Sequence, residues 1–204
     1  MRIFMAGGSG VIGVRLIPLL TSAGHTVAAM TRSPQKADLV AGLGAKPVVC
    51  DVYDAPALTD AVTGFGPDLL MHQVTDLPDR ADQIAEFGRR NARMRLEGTA
   101  NLLAAARAAG AARFLAQSIS WELDNARARN VNGQFERMVL EAGGVVIRYA
   151  QFYGPGTYYE TAPPAPPRIH VDDAARLTLP ALEAPAGLTI VADERALHDE
   201  DDQQ

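Results

Sequence analysis

Residues 5–13 read MAGGSGVIG, with glycines at positions 7, 8, 10 and 13. Two spacings are satisfied at once: Gly8, Gly10 and Gly13 fit G-x-G-x-x-G, and Gly7, Gly10 and Gly13 fit G-x-x-G-x-x-G. The segment follows an apolar strand and opens a helix, the setting in which such a loop cradles the pyrophosphate of a dinucleotide. The first glycine permits a tight turn. The second lets a phosphate approach the backbone, and the third lets helix pack close on strand. The helix that begins around Val11, Ile12 and Gly13 turns its positive end toward the anion. The second strand ends in MTRSPQK, with no acid before Asp38 to take the ribose hydroxyls. Arg32, with Thr31 and Ser33 beside it, offers donors for a 2′-phosphate instead, which favours NADP over NAD.

The elements that must position this loop are legible as apolar runs. Strands are predicted over residues 2–7, 25–32, 45–51, 68–74, 112–119 and 144–150. Helices are predicted over 11–24, 34–43, 55–65, 79–109 and 125–142, the long one with a break near Gly88 or Gly98. Strand and helix alternate, and the strands are apolar on both faces. That pattern specifies an α/β fold: a Rossmann-type doubly wound parallel sheet with helices on both faces. Residues 161–168 (TAPPAPPR) predict an extended surface loop.

Composition narrows the function classes. The chain has 204 residues, 48% of them hydrophobic, enough for one domain with a sizeable core. No apolar run reaches about 18 residues, so no membrane span is expected. One cysteine, Cys50, leaves no internal disulfide, and a cytoplasmic location fits. The net charge of −5 is concentrated at the end, since residues 193–204 hold six acids and one arginine. The reading is therefore one nucleotide-binding domain over 1–192 and an acidic, disordered tail over 193–204. No basic stripe with interleaved aromatics points to nucleic acid, and no histidine–carboxylate spacing points to a metal.

Several segments together resemble one family, the extended and atypical short-chain dehydrogenases/reductases, the NAD-dependent epimerase/dehydratase-like proteins. GGSGVIG looks like their glycine motif. CDVYD is similar to the segment after their third strand, EGTANLLAAARAAG to their fourth helix, and RFLAQSIS to their fifth strand. VVIRYAQFYGPGT and RIHVDDAARL resemble the sixth strand with its turn and the later segment specific to the extended branch. The resemblance implies that Asp51 contacts adenine, and Val52 and Gln73 are expected as further cofactor contacts. It also implies a small-molecule carbonyl or alcohol substrate and a homodimer.

The resemblance further implies a serine after strand five and a Tyr-x-x-x-Lys pair on the next helix. That helix, NARARNVNGQFERMVLEAGG, has neither tyrosine nor lysine, and no lysine follows Lys46. Ser118 or Ser120 stands where the family serine is expected. Arg129 falls near the lysine position, where its charge suits a ribose but its high pKa makes it a poor proton relay. Asn130 and Asn132 are able to bind a ligand but not to titrate. Tyr149, Tyr153, Tyr158 and Tyr159 surround the GPGT turn, and Tyr149 or Tyr153 is the expected replacement phenol. His72 reads as a core histidine and His170 as structural. Little chain follows HVDDAA, and a reduced C-terminal substrate lobe is expected. The expected activity is an NADP-dependent oxidoreductase or epimerase with a non-standard proton donor. The alternatives are an NADP-binding sensor without turnover, or an enzyme of the same fold running non-redox isomerisation or cyclisation.

Overall fold

A computed structural model describes residues 1–78, 80–84 and 86–193, so the acidic end beyond Asp193 lies outside the described residues. Six strands follow the apolar runs: β1 (Arg2–Ala6), β2 (Thr26–Thr31), β3 (Lys46–Val49), β4 (Leu69–His72), β5 (Arg113–Ile119) and β6 (Val145–Tyr149). Three short strands were not foreseen. β7 (Gln151–Tyr153) and β8 (Arg168–His170) form a separate two-stranded sheet, and β9 (Gly187–Val191) joins the main sheet beside β6. The main sheet runs β3-β2-β1-β4-β5-β6-β9, and every neighbouring pair is parallel.

The helices are α1 (Gly13–Ser22), α2 (Ala37–Gly42), α3 (Ala55–Phe65), α4 (Gly88–Arg93), α5 (Thr99–Ala108), α6 (Ala126–Glu141) and α7 (Val171–Thr178). Local signals set their ends. The Asp54 carboxylate accepts from the Ala57 N–H at 3.1 Å to start α3, and Gly66, at φ +64°, stops it. Asn125 caps α6 through the N–H groups of Arg127 and Ala128 at 2.9 and 3.1 Å. The helical region expected over 79–109 is broken at both glycines where a break was expected, Gly88 and Gly98. Residues 81–83 form one 3₁₀ turn, α4 starts at Gly88, and a wide π turn over Met94–Gly98 separates α4 from α5. Gly98 in that turn lies so close to Met94 that a Cβ would come within 2.7 Å of its Sδ.

Because strand side chains alternate, each strand feeds two cores. Ile3 and Met5 pack with Leu16, Ile17 and Leu20 of α1 and Val171 and Ala174 of α7. Phe4 and Leu70 pack on the other face with Leu58 and Val62 of α3, Leu102 of α5 and Phe135 of α6. The parallel register brings Ala6, His72 and Ala116 level, and Ser118 level with Arg148. The C-terminal strand ends therefore share one edge of the sheet, where ligands bind in this architecture. Among the described residues no helix is long and apolar enough to cross a membrane.

His72 is buried at the end of β4. Its Nδ1 accepts from the Val74 N–H at 3.2 Å and its Nε2 lies 3.0 Å from the Thr99 hydroxyl. The ring meets Phe135 edge-on at 5.9 Å. Burial, and then the nearby Arg95 charge, lower its pKa from 6.5 to about 3. The folded imidazole thus resists a proton that the unfolded one accepts. The stability this lends is complete above 6.5 and is lost as pH falls toward about 3. On this account alone the chain should be about 2 kcal/mol less stable near pH 5 than above about pH 7. Urea midpoints across that range should flatten in His72→Gln.

Candidate functional site

The turn after β1 is held by N–H groups of Gly7 and Gly8, which donate to the Met30 carbonyl at 3.3 and 3.0 Å. Gly7 sits at φ +93°, and a Cβ there would lie 2.7 Å from the Gln73 backbone. Gly13 opens α1 so close to the turn that a Cβ would overlap the Gly7 carbonyl oxygen and the Gly8 backbone. A Cβ at Gly8 would press on the Ala29 Cβ at 2.5 Å. Gly10 differs: a Cβ there meets only the Gly7 oxygen, at 3.3 Å. The chain's own packing thus demands Gly7, Gly8 and Gly13, while Gly10 leaves room on the open side of the loop. Of the two spacings, Gly7-Gly10-Gly13 carries the turn, and Gly8 serves packing against β2. The start of α1 at Ile12 has no side-chain cap, and its first turn holds no acid. Unsatisfied N–H groups and an unopposed helix dipole make it fit for an anion.

A cleft of about 210 Å³ opens beside this loop at the C-terminal edge of the sheet. Gly7 and Gly10 line it with Ser9, whose hydroxyl bonds to that of Thr31 at 2.9 Å. Arg32, Ser33 and Lys36 line the end near β2, and Asp51 and Val52 the wall after β3. Gln73 closes the far side. It is 4% exposed, and neither atom of its amide makes a hydrogen bond of good geometry among the described residues. Its polarity is felt only weakly, by the phenol of Tyr149. Its amide nitrogen and oxygen are shielded from solvent at the cleft's inner wall, and a buried amide without a partner calls for a structural reason. These features fit a dinucleotide: Gly7 and Gly10 line the cleft, and Val11 and Ile12 lead from them into α1 at Gly13. Ser9, Lys36 and Met94 also line the cleft and were missed in the sequence. Arg129 lies apart from it, its guanidinium bound to the carbonyls of Leu123 and Asp124.

The candidates for proton chemistry do not converge. Ser118 is fully buried and faces α6. Its hydroxyl donates to Glu136 at 2.5 Å, and Asn132 lies 3.3 Å from it. The Arg148 fork clamps the same carboxylate at 3.0 and 2.6 Å. Burial works to raise the Glu136 pKa, but the bonds from Arg148 and Ser118 and the charges of Arg148 and Arg95 outweigh it. The result is a pKa below the usual carboxylate value. Arg95, buried beneath, donates to the Gln117 carbonyl at 2.7 Å and stacks on Phe135. Tyr149 pairs in register with Ile119, so it points to the opposite face from Ser118. Its hydroxyl lies 2.6 Å from that of Thr178, and burial pushes its pKa up to about 12. Ser120 keeps a shielded hydroxyl without a hydrogen-bond partner among the described residues.

Tyr153 stands on the small sheet, edge-on to His170 at 5.2 Å and 3.5 Å from the Asp193 carboxylate. Burial and Asp193 raise its pKa. Tyr158 donates to the Pro78 carbonyl, and Tyr159 lies 3.4 Å from the Gln151 side chain. His170 caps α7 through the Asp172 N–H at 3.3 Å. Among the described residues no three His, Cys, Asp or Glu side chains are placed to hold a metal.

A family model described as the NAD dependent epimerase/dehydratase family matches residues 3–121. The 3-diazoavenalumate denitrifying reductase of a Streptomyces species is 33% identical over 91% of this chain and 73% of that protein. Among solved structures, UDP-glucose 4-epimerase of Thermotoga maritima with UDP-glucose superposes with a TM-score of 0.77. It is 17% identical over 94% of this chain and 77% of its own. The Thermus thermophilus UDP-glucose 4-epimerase complex with NAD also gives 0.77, at 20% identity, with 94% of this chain and 78% of its own covered. At such identities the structural likeness establishes the shared fold.

The glycines separate two effects that substitution should resolve. Gly13→Ala should cost about 2–4 kcal/mol of stability, because backbone must move. Gly10→Ala should stay within about 1 kcal/mol of the parent yet lose most of any stabilisation by an added nicotinamide dinucleotide. Thermal unfolding with and without the nucleotide measures both.

Proposed function

Because the chain belongs to the NAD-dependent epimerase/dehydratase family, we propose that it binds NADP in the cleft beside the glycine loop. We propose further that it is a reductase whose acceptor needs no proton from the protein. Arg32 and Ser33 would take the 2′-phosphate, Asp51 and Val52 the adenosine, and Gln73 the far end. When bound, that dinucleotide supplies a hydride equivalent. The observation that carries the second half is the face of α6 turned to the sheet. It holds Asn132 and a Glu136 clamped by Arg148, with no phenol or ammonium.

Two buried titratable groups point the same way. Tyr149 is buried with a pKa near 12, and His72 is buried and stays neutral down to about 3. Neither exchanges a proton readily at neutral pH. Ser118 and Tyr149 are committed to internal hydrogen bonds, and the Ser120 hydroxyl is shielded. Such a site suits an electrophile that is already cationic. In an arenediazonium the carbon–nitrogen bond breaks with its electron pair leaving on dinitrogen, and a carbon–hydrogen bond forms from the incoming hydride. Charge and atoms balance without a proton donor. The 33% identical Streptomyces relative, a 3-diazoavenalumate denitrifying reductase, supports this acceptor class.

The test is anaerobic incubation with nicotinamide-deuterated NADPH and a carboxylated arenediazonium. Equimolar dinitrogen and deuterated arene should appear, with kcat/KM flat across neutral pH. Simple ketones should react slower by a factor of about 10²–10⁴, the usual worth of acid catalysis. Ketone reduction with a titrating rate profile would overturn the proton-free reading. NADPH binding without turnover of any acceptor would favour a sensor.

A further inference from the structure

Arg32 reaches the cleft with a tether behind it. Its Nη2 lies 3.6 Å from Oδ1 of Asp76, in the loop that follows β4. Asp76 is 6% exposed, and the guanidinium of Arg90 on α4 already engages both of its oxygens. Nη2 of Arg90 is 2.9 Å from Oδ1, and Nε is 3.1 Å from Oδ2. The backbone N–H of Asp76 donates to Asn91 at 3.3 Å, and the Arg90 guanidinium lies 4.4 Å from the Phe87 ring centre. The Arg90 fork is therefore fixed from below, whereas Arg32, beyond hydrogen-bond distance, is held by charge alone. The Arg32 side chain is 60% exposed and free to turn.

A carboxylate behind an arginine at a phosphate site has two opposed effects. It orients the guanidinium. It also competes for it, and its charge repels the phosphate. Bidentate pairing with a second arginine cancels the competition and leaves the orientation. We propose that Arg90, which does not line the cleft, sets cofactor choice as a positioning residue. By occupying both oxygens of Asp76 it keeps Arg32 available for a 2′-phosphate. Without Arg90, Asp76 would take the Arg32 fork for itself and present an uncompensated negative charge beside the site. Lys36, which lines the same end and makes no ion pair among the described residues, would still be present. This inference rests on the NADP reading.

Calorimetric titration with adenosine 2′,5′-bisphosphate and adenosine 5′-monophosphate tests it without any turnover. The unmodified chain should prefer the bisphosphate. Arg90→Gln should weaken the bisphosphate about tenfold and the monophosphate less than about twofold. Adding Asp76→Asn to Arg90→Gln should restore most of the lost affinity, since the competing charge is gone. If the unmodified chain binds both nucleotides equally, the NADP reading falls and the relay with it. If the preference is present and survives Arg90→Gln, the relay alone is overturned. Equal weakening of both nucleotides, or no recovery in the double variant, also overturns it.

Discussion

Everything at the top of this sheet depends on how closely the first turn of α1 is pressed against the turn that ends β1. No side chain fits between Gly13 and the Gly7 carbonyl. That closeness aims an uncapped helix N-terminus at the edge where the parallel strands end. It also places Arg15 where one guanidinium ties three segments together. Its Nε is 2.6 Å from Asp172 at the start of α7, and its other nitrogens bond the carbonyls of Val11 and Pro155. The glycine loop, the GPG turn and the start of α7 are thereby tied together. Hydrogen bonds to charged groups of this sort are worth about 1.5–3 kcal/mol each when well shielded, and less at exposed positions such as these.

The second constraint is the two-residue period of the strands. Ser118 and Arg148 face α6, and Tyr149 faces α7. A phenol on one side of a sheet cannot relay a proton to a serine on the other. The chain spends its buried polar groups on rigidity instead. Glu136 accepts from Ser118, Asn132 and Arg148 and fixes α6 to β5 and β6. Such a clamp is costly to break from one side, because a partner would be left buried and unpaired. The same rigidity suits a reaction that needs orientation and a dry surface more than a mobile proton.

The fold was legible because continuous apolar runs of four to seven residues lie between amphipathic helices, and helix starts carry Asp54 and Asn125. β7 and β8 were not, since three residues have no periodicity to read. β9 escaped because it is an edge strand, with Leu188 and Ile190 half-exposed. At the site, the glycines and the residues following β2 and β3 announced themselves by local pattern. Asp76 did not, because its role arises from contacts with Arg32 and Arg90, far from it in the chain. Arg129 illustrates the reverse. Its sequence position falls near that expected for the family lysine, and its guanidinium bonds the carbonyls of Leu123 and Asp124, in the segment leading into α6.

The measurement that bears most directly on this account is a titration of the purified chain with NADPH and with NADH, followed by nicotinamide fluorescence. A saturable response to NADPH, with NADH weaker by about an order of magnitude, is the predicted result, since one well-placed charge pair is worth about 1.4 kcal/mol. The absence of a response to either nucleotide would contradict it. The glycine loop would then be a turn shaped only by its own packing.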